Sequence, residues 1–136
     1  IQIVKNFGLE IFTTTRNENN IKKCKKLGVK NTINVRKMDF EKFIKKETNG
    51  EGVDLIIDIV GGTYVQKNIN ILKRNGTLIN LGWLTGSNVK INLLMLMLKR
   101  LKITGSTLRV GSLKEKEKIA KGLKKYIWPL IEKKKN

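Results

Sequence analysis

The chain contains one strongly apolar run that ends in two glycines, Val53-Asp54-Leu55-Ile56-Ile57-Asp58-Ile59-Val60-Gly61-Gly62. A run of this kind, rich in β-branched residues and bounded by glycine, predicts a strand from Val53 to Val60. Because apolar residues occupy nearly every position, we expect both faces of the strand to be buried, as in a parallel sheet with helices on both sides. The two glycines then predict a tight turn at the strand's carboxyl end.

Shorter segments on both sides of this strand alternate between strand-like and helix-like patterns. β-Branched and apolar segments predict four more strands, at 10–15, 32–35, 77–81 and 101–106, with a turn at 74–76. Amphipathic or apolar segments predict helices at 17–27 or 20–27, 39–46, 63–72 and 93–98. Ser112 begins a further long helix, which Pro129 must bend or end. The alternation indicates an α/β fold, a doubly wound parallel sheet with right-handed crossovers.

The carboxyl ends of the predicted strands are where such a sheet binds its ligands. These ends are turns, at 14–16, 34–35, 60–62, 81–83 and 106–109. Asp54 and Asp58 lie on one face of their strand, and we interpret them as a strand-entry residue and a structural carboxylate rather than as an acid/base pair. The sequence therefore predicts a binding site built from turns, without catalytic residues of its own.

The charge of the chain is strongly positive, because 29 lysines and arginines stand against 11 acidic residues, giving a formal net charge of +18. Such an excess suits nucleic acids, whose counterions a basic surface displaces. Most of the cations, however, are lysines spread over helical segments, and no aromatic residues alternate with them to stack on bases. We predict no specific nucleic-acid partner, although a basic nucleic-acid-binding module stays an alternative.

Cysteine and histidine are nearly absent, since Cys24 is the only cysteine and there is no histidine. A single thiol forms no internal disulfide, which agrees with a reducing, cytoplasmic location. Without histidine the commonest metal ligand is missing, so we predict no metal site. The longest apolar stretch, at 93–98, is too short to span a bilayer, and we expect it to be a buried helix rather than a membrane-surface or methionine-rich recognition patch.

Five segments in register resemble successive parts of one enzyme superfamily, the medium-chain dehydrogenases/reductases. Residues 26–29 and 33–34 resemble its second helix and third strand, 52–62 its fourth strand and glycine turn, and 78–82 its fifth strand. The most discriminating segment is Ile103-Thr104-Gly105-Ser106-Thr107-Leu108-Arg109, which is similar to the sixth-strand turn of zinc-independent NADPH quinone oxidoreductases. The resemblance covers nearly the whole chain.

This resemblance implies an incomplete Rossmann-type sheet. The sequence has no Gly-x-Gly-x-x-Gly pyrophosphate loop, and Ile1 matches a position inside the first helix, so the first strand is missing. In the Rossmann order 3-2-1-4-5-6 that strand separates strands 2 and 4, and we expect two unpaired inner edges. Residues 1–111 then form a partial dinucleotide-binding domain, and 112–136 a helix leading back toward a missing catalytic domain.

The resemblance also implies an activity and a set of binding residues. Members of the family transfer hydride from NADPH to quinones or other enone and carbonyl acceptors, and the whole enzyme is expected to be a homodimer that needs no metal. Carried over by position, Gly61 and Gly62 approach the adenosine-ribose side of the cofactor, and Asn34 its adenine end. Gly82 and Trp83 border the nicotinamide, while Leu108 and Arg109 flank it and the entrance to the cleft.

Cofactor choice depends on the turn after the strand at 10–15. No acid ends that strand to accept ribose hydroxyls, and the guanidinium of Arg16, next to Asn17, suits a 2′-phosphate. We therefore predict NADPH over NADH, with Glu18 as the opposing feature. The family's tyrosine is replaced by Val35, and its serine and lysine by Asn17 and Asn20, which weakens the phosphate pocket. An enoyl reductase and a non-catalytic nucleotide-binding remnant stay open as alternatives.

Overall fold

The computed structural model describes residues 1–132, which form two compact units. The first unit, Ile1–Ser106, alternates helices and strands: α1 Gln2–Asn6, β1 Phe12–Thr15, α2 Glu18–Lys26, β2 Asn31–Asn34, α3 Phe40–Glu47, β3 Val53–Asp58, α4 Tyr64–Ile71, β4 Leu72–Asn80, α5 Leu94–Leu98 and β5 Lys102–Gly105. The second unit begins at Thr107 and contains α6, Leu113–Tyr126, and α7, Trp128–Glu132. The predicted α/β class is confirmed.

The strands are all parallel and form two separate sheets, β1-β2 and β3-β4-β5. In the first sheet Thr15 is opposite Asn34; in the second, Leu78 lies between Ile56 and Ile103. The break falls between β1 and β3, where the Rossmann order places its first strand. The prediction of an incomplete doubly wound sheet is therefore confirmed, and among the described residues β1 and β3 each have a partner on one side only.

Three of the described helices, α2, α3 and α6, begin where a side chain satisfies their first backbone N–H groups. The side chain of Asn17 accepts a hydrogen bond from the backbone of Asn19, which decides between the two predicted starts of α2. Asp39 caps α3 in the same way. Ser112 and Glu115 form a reciprocal capping box at the start of α6. Local hydrogen bonding thus sets these boundaries, as the sequence predicted.

The predicted turn at 74–76 lies inside β4 rather than before it. Strand pairing moves from Val53 opposite Leu72 to Leu55 opposite Thr77, so that residues 73–76 bulge out of the ladder. Asn75 adopts a left-handed conformation in this bulge, with φ +63°, and donates its N–H to the carbonyl of Lys99 at 2.7 Å. The turn residues were correctly recognised, but the strand resumes on both sides of them.

The core lies between the strands and helices α3 and α4. Two clusters of buried side chains fill it: Val65, Ile69, Leu72, Leu78 and Leu101, and Ile33, Phe40, Ile44 and Ile71. Phe12 of β1 and Ile56 of β3 both pack against the second cluster, so the same helices cover both sheets.

The expectation that β3 is buried on both faces is wrong. Its other face carries Leu55, Ile57 and Ile59, which are 53%, 58% and 53% exposed. The helix α5 is also largely exposed, with Leu96 alone of its residues packed against the core, so the expected buried helix at 93–98 is wrong too. In both cases the apolar pattern showed that the segment could be buried, but it did not show whether another element of the chain covers that segment.

None of the described helices is long and apolar enough to cross a membrane.

Candidate functional site

The turns after β3 and β4 are joined by hydrogen bonds into one double loop. The carbonyl of Val60 accepts from both the backbone N–H and the hydroxyl of Thr85, at 2.9 and 3.0 Å. The N–H of Gly62 donates to the carbonyl of Gly86 at 3.0 Å, and that of Leu84 to the carbonyl of Ile59 at 3.3 Å. The structure therefore brings the predicted residues of the 60–62 and 81–83 turns into contact.

The glycines of this double loop are required by the packing of one turn against the other. Gly61 has φ +70°, and a Cβ on it would lie 2.5 Å from the Trp83 ring. Gly62 has φ +55°, and its Cβ would lie 2.5 Å from the hydroxyl of Thr85. At Gly82 a Cβ would be 3.2 Å from the carbonyl oxygen of Ile59. Side chains at 61 and 62 would push the two turns apart.

A buried carboxylate stands behind the glycine turn. Asp58, the last residue of β3, is 4% exposed and accepts three hydrogen-bond donors. The N–H of Val60 is 2.7 Å from Oδ1, the N–H of Gly61 is 3.3 and 3.2 Å from the two oxygens, and Nδ2 of Asn68 is 3.1 Å from Oδ2. The N–H groups of Val60 and Gly61 are therefore already bonded within the protein, and the turn can contribute its backbone shape to a binding site rather than these donors.

A second group of predicted residues meets at the ends of β1 and β2. The N–H of Val35 donates to the carbonyl of Thr15 at 3.0 Å, so the turns that carry Arg16 and Asn34 are adjacent. Asn17 begins α2, and its own N–H donates to the Thr15 hydroxyl at 3.2 Å. Arg16 is exposed, and among the described residues its side chain makes no hydrogen bond or ion pair. Its guanidinium is thus available to an anion.

Glu18, the acid that opposed the NADPH prediction, is held by two neighbours. Its Oε1 accepts from Asn34 Nδ2 at 2.7 Å and lies 2.6 Å from Lys37 Nζ. The hydrogen bond from Lys37, followed by that from Asn34, lowers the pKa of Glu18. Both the NH₂ group and the oxygen of the Asn34 amide are engaged, since its Oδ1 accepts the N–H of Arg36 at 3.0 Å. The negative charge beside Arg16 is therefore offset by a cation of the protein itself.

An open cavity of about 370 Å³ lies between the β2–α3 loop and the start of α4. It is lined by residues 35–40 together with Thr63, Tyr64 and Lys67, and it contains none of the nine predicted site residues. Lys67 pairs with Asp39 at 2.7 Å, and this hydrogen bond is the largest cause of the lowered pKa of Asp39. The cavity is therefore next to the Asn34 turn rather than at it.

The remaining two predicted residues, Leu108 and Arg109, belong to the second unit. They are exposed and lie in the loop before α6, where the carbonyl of Leu108 accepts from Gly111 at 3.3 Å and that of Arg109 from Lys116 Nζ at 3.4 Å. Their place beside a nicotinamide stays a prediction, as does the assignment of 1–111 to one domain.

Within residues 1–132 no group of three or more histidine, cysteine, aspartate or glutamate side chains is arranged to hold a metal ion.

Sequence reasoning missed three contributors to these turns: Asn68, Thr85 and Lys37. An acid two or three residues before a turn is a local signal, and it could have identified Asp58 as the acceptor of the turn's N–H groups. The donors Asn68 and Thr85 lie 10 and 25 residues from their acceptors along the chain, so the pattern of a single segment does not reveal them.

Comparison with known proteins identifies the family. The model of the zinc-binding dehydrogenase family matches residues 1–124. Human (Homo sapiens) quinone oxidoreductase is 28% identical over 122 residues, covering 90% of this chain and 36% of that protein. The 2-haloacrylate reductase of Burkholderia sp is 29% identical over 82 residues, covering 60% of this chain and 25% of that protein.

Solved structures agree with this result. Escherichia coli quinone oxidoreductase complexed with NADPH superposes with a TM-score of 0.76 and 25% identity, over 93% of this chain and 40% of that one. A 2-haloacrylate reductase structure gives a TM-score of 0.73 and 27% identity, over 79% and 34%. The matched regions span 25% and 36% of the length of these two sequence relatives. It belongs to the zinc-binding dehydrogenase family, within the medium-chain dehydrogenase/reductase superfamily, and is similar to that superfamily's quinone oxidoreductases.

Proposed function

We propose that this chain is the cofactor-binding part of an NADPH-dependent oxidoreductase that reduces a quinone or another enone or carbonyl compound without catalytic zinc. The observation that carries the proposal is the pair of turns after β1 and β2, where Arg16 is exposed and the neighbouring acid, Glu18, is held by Lys37 at 2.6 Å. A ribose 2′-phosphate needs a cation here and no uncompensated acid. The likeness to a quinone oxidoreductase complexed with NADPH supports the same reading.

Different residues of the chain bind different parts of such a cofactor. Arg16, Asn17 and Asn34 receive the adenosine end, with the guanidinium bound to the 2′-phosphate. Gly61 and Gly62 keep side chains away from the ribose. Gly82 and Trp83 border the nicotinamide. The nicotinamide supplies the hydride when bound, and the protein supplies position and electrostatics.

The experiment compares the binding of NADPH and NADH to the complete protein by fluorescence titration. We expect Arg16→Ala to weaken NADPH binding about tenfold or more, the usual scale for a lost charge-assisted hydrogen bond, and NADH binding by less than about twofold. Arg36→Ala is the matched control, because it removes one exposed arginine from the neighbouring turn. Equal losses for the two cofactors would contradict the phosphate role of Arg16.

Measurements of turnover distinguish an enzyme from the two alternative functions, a nucleotide-binding remnant and a nucleic-acid-binding module. We expect the complete protein to oxidise NADPH with a quinone acceptor, and to keep this activity after dialysis against a chelator. NADPH binding without turnover on quinones or enones would favour a nucleotide-binding remnant. DNA binding that falls steeply with salt, without NADPH binding, would favour a nucleic-acid-binding module. Sedimentation of the complete protein tests the expected homodimer.

A further inference from the structure

The backbone of residues 59–61 is fixed on both sides. In a trans peptide unit the N–H and the C=O point in opposite directions. The N–H of Val60 points to Asp58, at 2.7 Å, and the carbonyl of the same unit, on Ile59, accepts from Leu84. The N–H of Gly61 points to Asp58 as well, and the carbonyl of its unit, on Val60, accepts twice from Thr85.

Two consecutive peptide units are therefore held between one carboxylate and one loop. Because Asp58 sets the direction of both N–H groups, it also sets where the two carbonyls meet Leu84 and Thr85. Trp83 precedes these two residues, and its ring lies where a side chain on Gly61 would be. The position of residues 83–85, in the loop after β4, is consequently determined by Asp58, the last residue of β3.

We propose that Asp58 is a positioning residue for the cofactor, which acts by orienting the Ile59–Gly61 peptides and through them the loop that carries Trp83. The inference rests on the proposed function, since it adds a residue to the NADPH site described above. Asp58 is 4% exposed and acts without touching the cofactor, by linking the turn assigned to the ribose side with the loop assigned to the nicotinamide side.

While the amide of Asn68 donates to position 58, that position needs a carboxylate and not merely a side chain of this size. All three groups that point at Asp58 are donors, the N–H groups of Val60 and Gly61 and the amide of Asn68. A carboxylate is acceptor-only, whereas an asparagine presents one acceptor and one NH₂ group. With Asn68 oriented as observed, Asp58→Asn leaves one amide oxygen for the turn and puts its NH₂ group against the NH₂ group of Asn68, so it loosens the turn without emptying the core.

The neighbouring Asn68 permits a rescue. In the double variant D58N/N68D the amide and the carboxylate exchange places. The hydrogen bond between β3 and α4 is then restored, with the amide at position 58 as the donor and the carboxylate at position 68 as the acceptor. The amide oxygen at position 58 still accepts from the turn. Asn68→Ala is the matched control, because it deletes one donor to Asp58 and leaves both turn N–H groups bound.

The test is made on the complete protein and combines hydrogen–deuterium exchange of the segments 59–62 and 83–86 with NADPH titration and steady-state kinetics. We expect Asp58→Asn to speed exchange in both segments and to raise the NADPH Kd and KM about tenfold, with the acceptor KM unchanged. D58N/N68D should return the NADPH Kd to within about threefold of the unaltered protein. Asn68→Ala should lower the melting temperature and leave NADPH binding unchanged.

Two results would overturn the assignment. One is an unchanged NADPH Kd in Asp58→Asn despite faster exchange. The other is a loss of affinity in Asn68→Ala equal to that in Asp58→Asn, which would mean that Asp58 serves stability alone. Failure of the proposed function is recognised separately, because in that case the unaltered protein itself does not bind NADPH.

Discussion

Two carboxylates, Asp58 at the end of β3 and Glu18 just after β1, are held in opposite ways. Asp58 is buried, and its partners are backbone N–H groups and an amide. The side chain of Glu18 is 56% exposed, and its partners are the flexible cation of Lys37 and the amide of Asn34. The first arrangement fixes a backbone shape, because several short bonds converge where water is excluded. The second adjusts local charge and is open to exchange with solvent ions.

The largest effect is expected at the buried turn. Gly61→Ala places a methyl group 2.5 Å from the Trp83 ring at φ +70°, and overpacking together with backbone strain should lower the free energy of unfolding by about 3 kcal/mol. Gly50→Ala is the control, since Gly50 has φ +84° with open space around it, and strain alone should cost about 1 kcal/mol. Urea denaturation of both variants measures the difference. Equal losses would show that the contact with Trp83 is loose.

A smaller effect is expected at Asp39, whose side chain is 35% exposed and both caps α3 and pairs with Lys67. Asp39→Ala should cost about 1 kcal/mol through the lost cap, and Asp39→Asn, which keeps a cap, only a few tenths for the exposed pair. Because the pKa of Asp39 is lowered in the folded chain, its ionic contribution is complete above about pH 4 and is lost as the pH falls through the lower folded value. Thermal unfolding between pH 6 and about pH 2 checks this, and Asp39→Asn should flatten the acid limb.

The smallest effect is expected at the exposed end of the site. Lys37→Ala leaves Glu18 without its cation, and we expect NADPH binding to weaken about threefold, in keeping with the small energy of exposed ion pairs. The double variant E18A/K37A should restore most of this loss, because the acid is removed along with its partner. A loss that persists in the double variant would mean that Lys37 contacts the cofactor directly. Fluorescence titration at low and high salt provides the measurement.

The sequence predicted the elements and their order because hydrophobic period, caps and turn residues are local signals. The run Val53 to Gly62 was sufficient to place β3 and its turn, and the implied strand order correctly located the break between the sheets. Apolar residues such as Leu55 and Ile57 were expected to be covered, yet burial depends on a neighbour that the pattern of one strand does not contain. The bulge at 73–76 was missed because pairing with β3 is a long-range property.

The candidate site was predicted less completely than the fold. The glycines were identified by their place after strands, but the sequence did not reveal that Gly61 is required by Trp83 and Gly62 by Thr85. Nor did it show that Lys37 offsets the charge of Glu18, since that pair is formed only when the turns after β1 and β2 lie side by side. Which side chains meet across two turns is decided by the pairing of strands, and this lies beyond the reach of a local pattern.

The two separate sheets have a consequence for how the chain folds. Every strand pair that the structure describes joins strands consecutive in sequence, β1 with β2, β3 with β4 and β4 with β5. Each pairing is parallel and joins residues 19 to 25 positions apart through a helical crossover, so a loop must close before the two strands can pair. The helices α3 and α4 meet both sheets through one cluster, where Phe12 and Ile56 converge. We expect β3-β4 to form around this cluster early and β1-β2 to dock on it afterwards, so that destabilising Phe40 should slow refolding more than truncating Phe12.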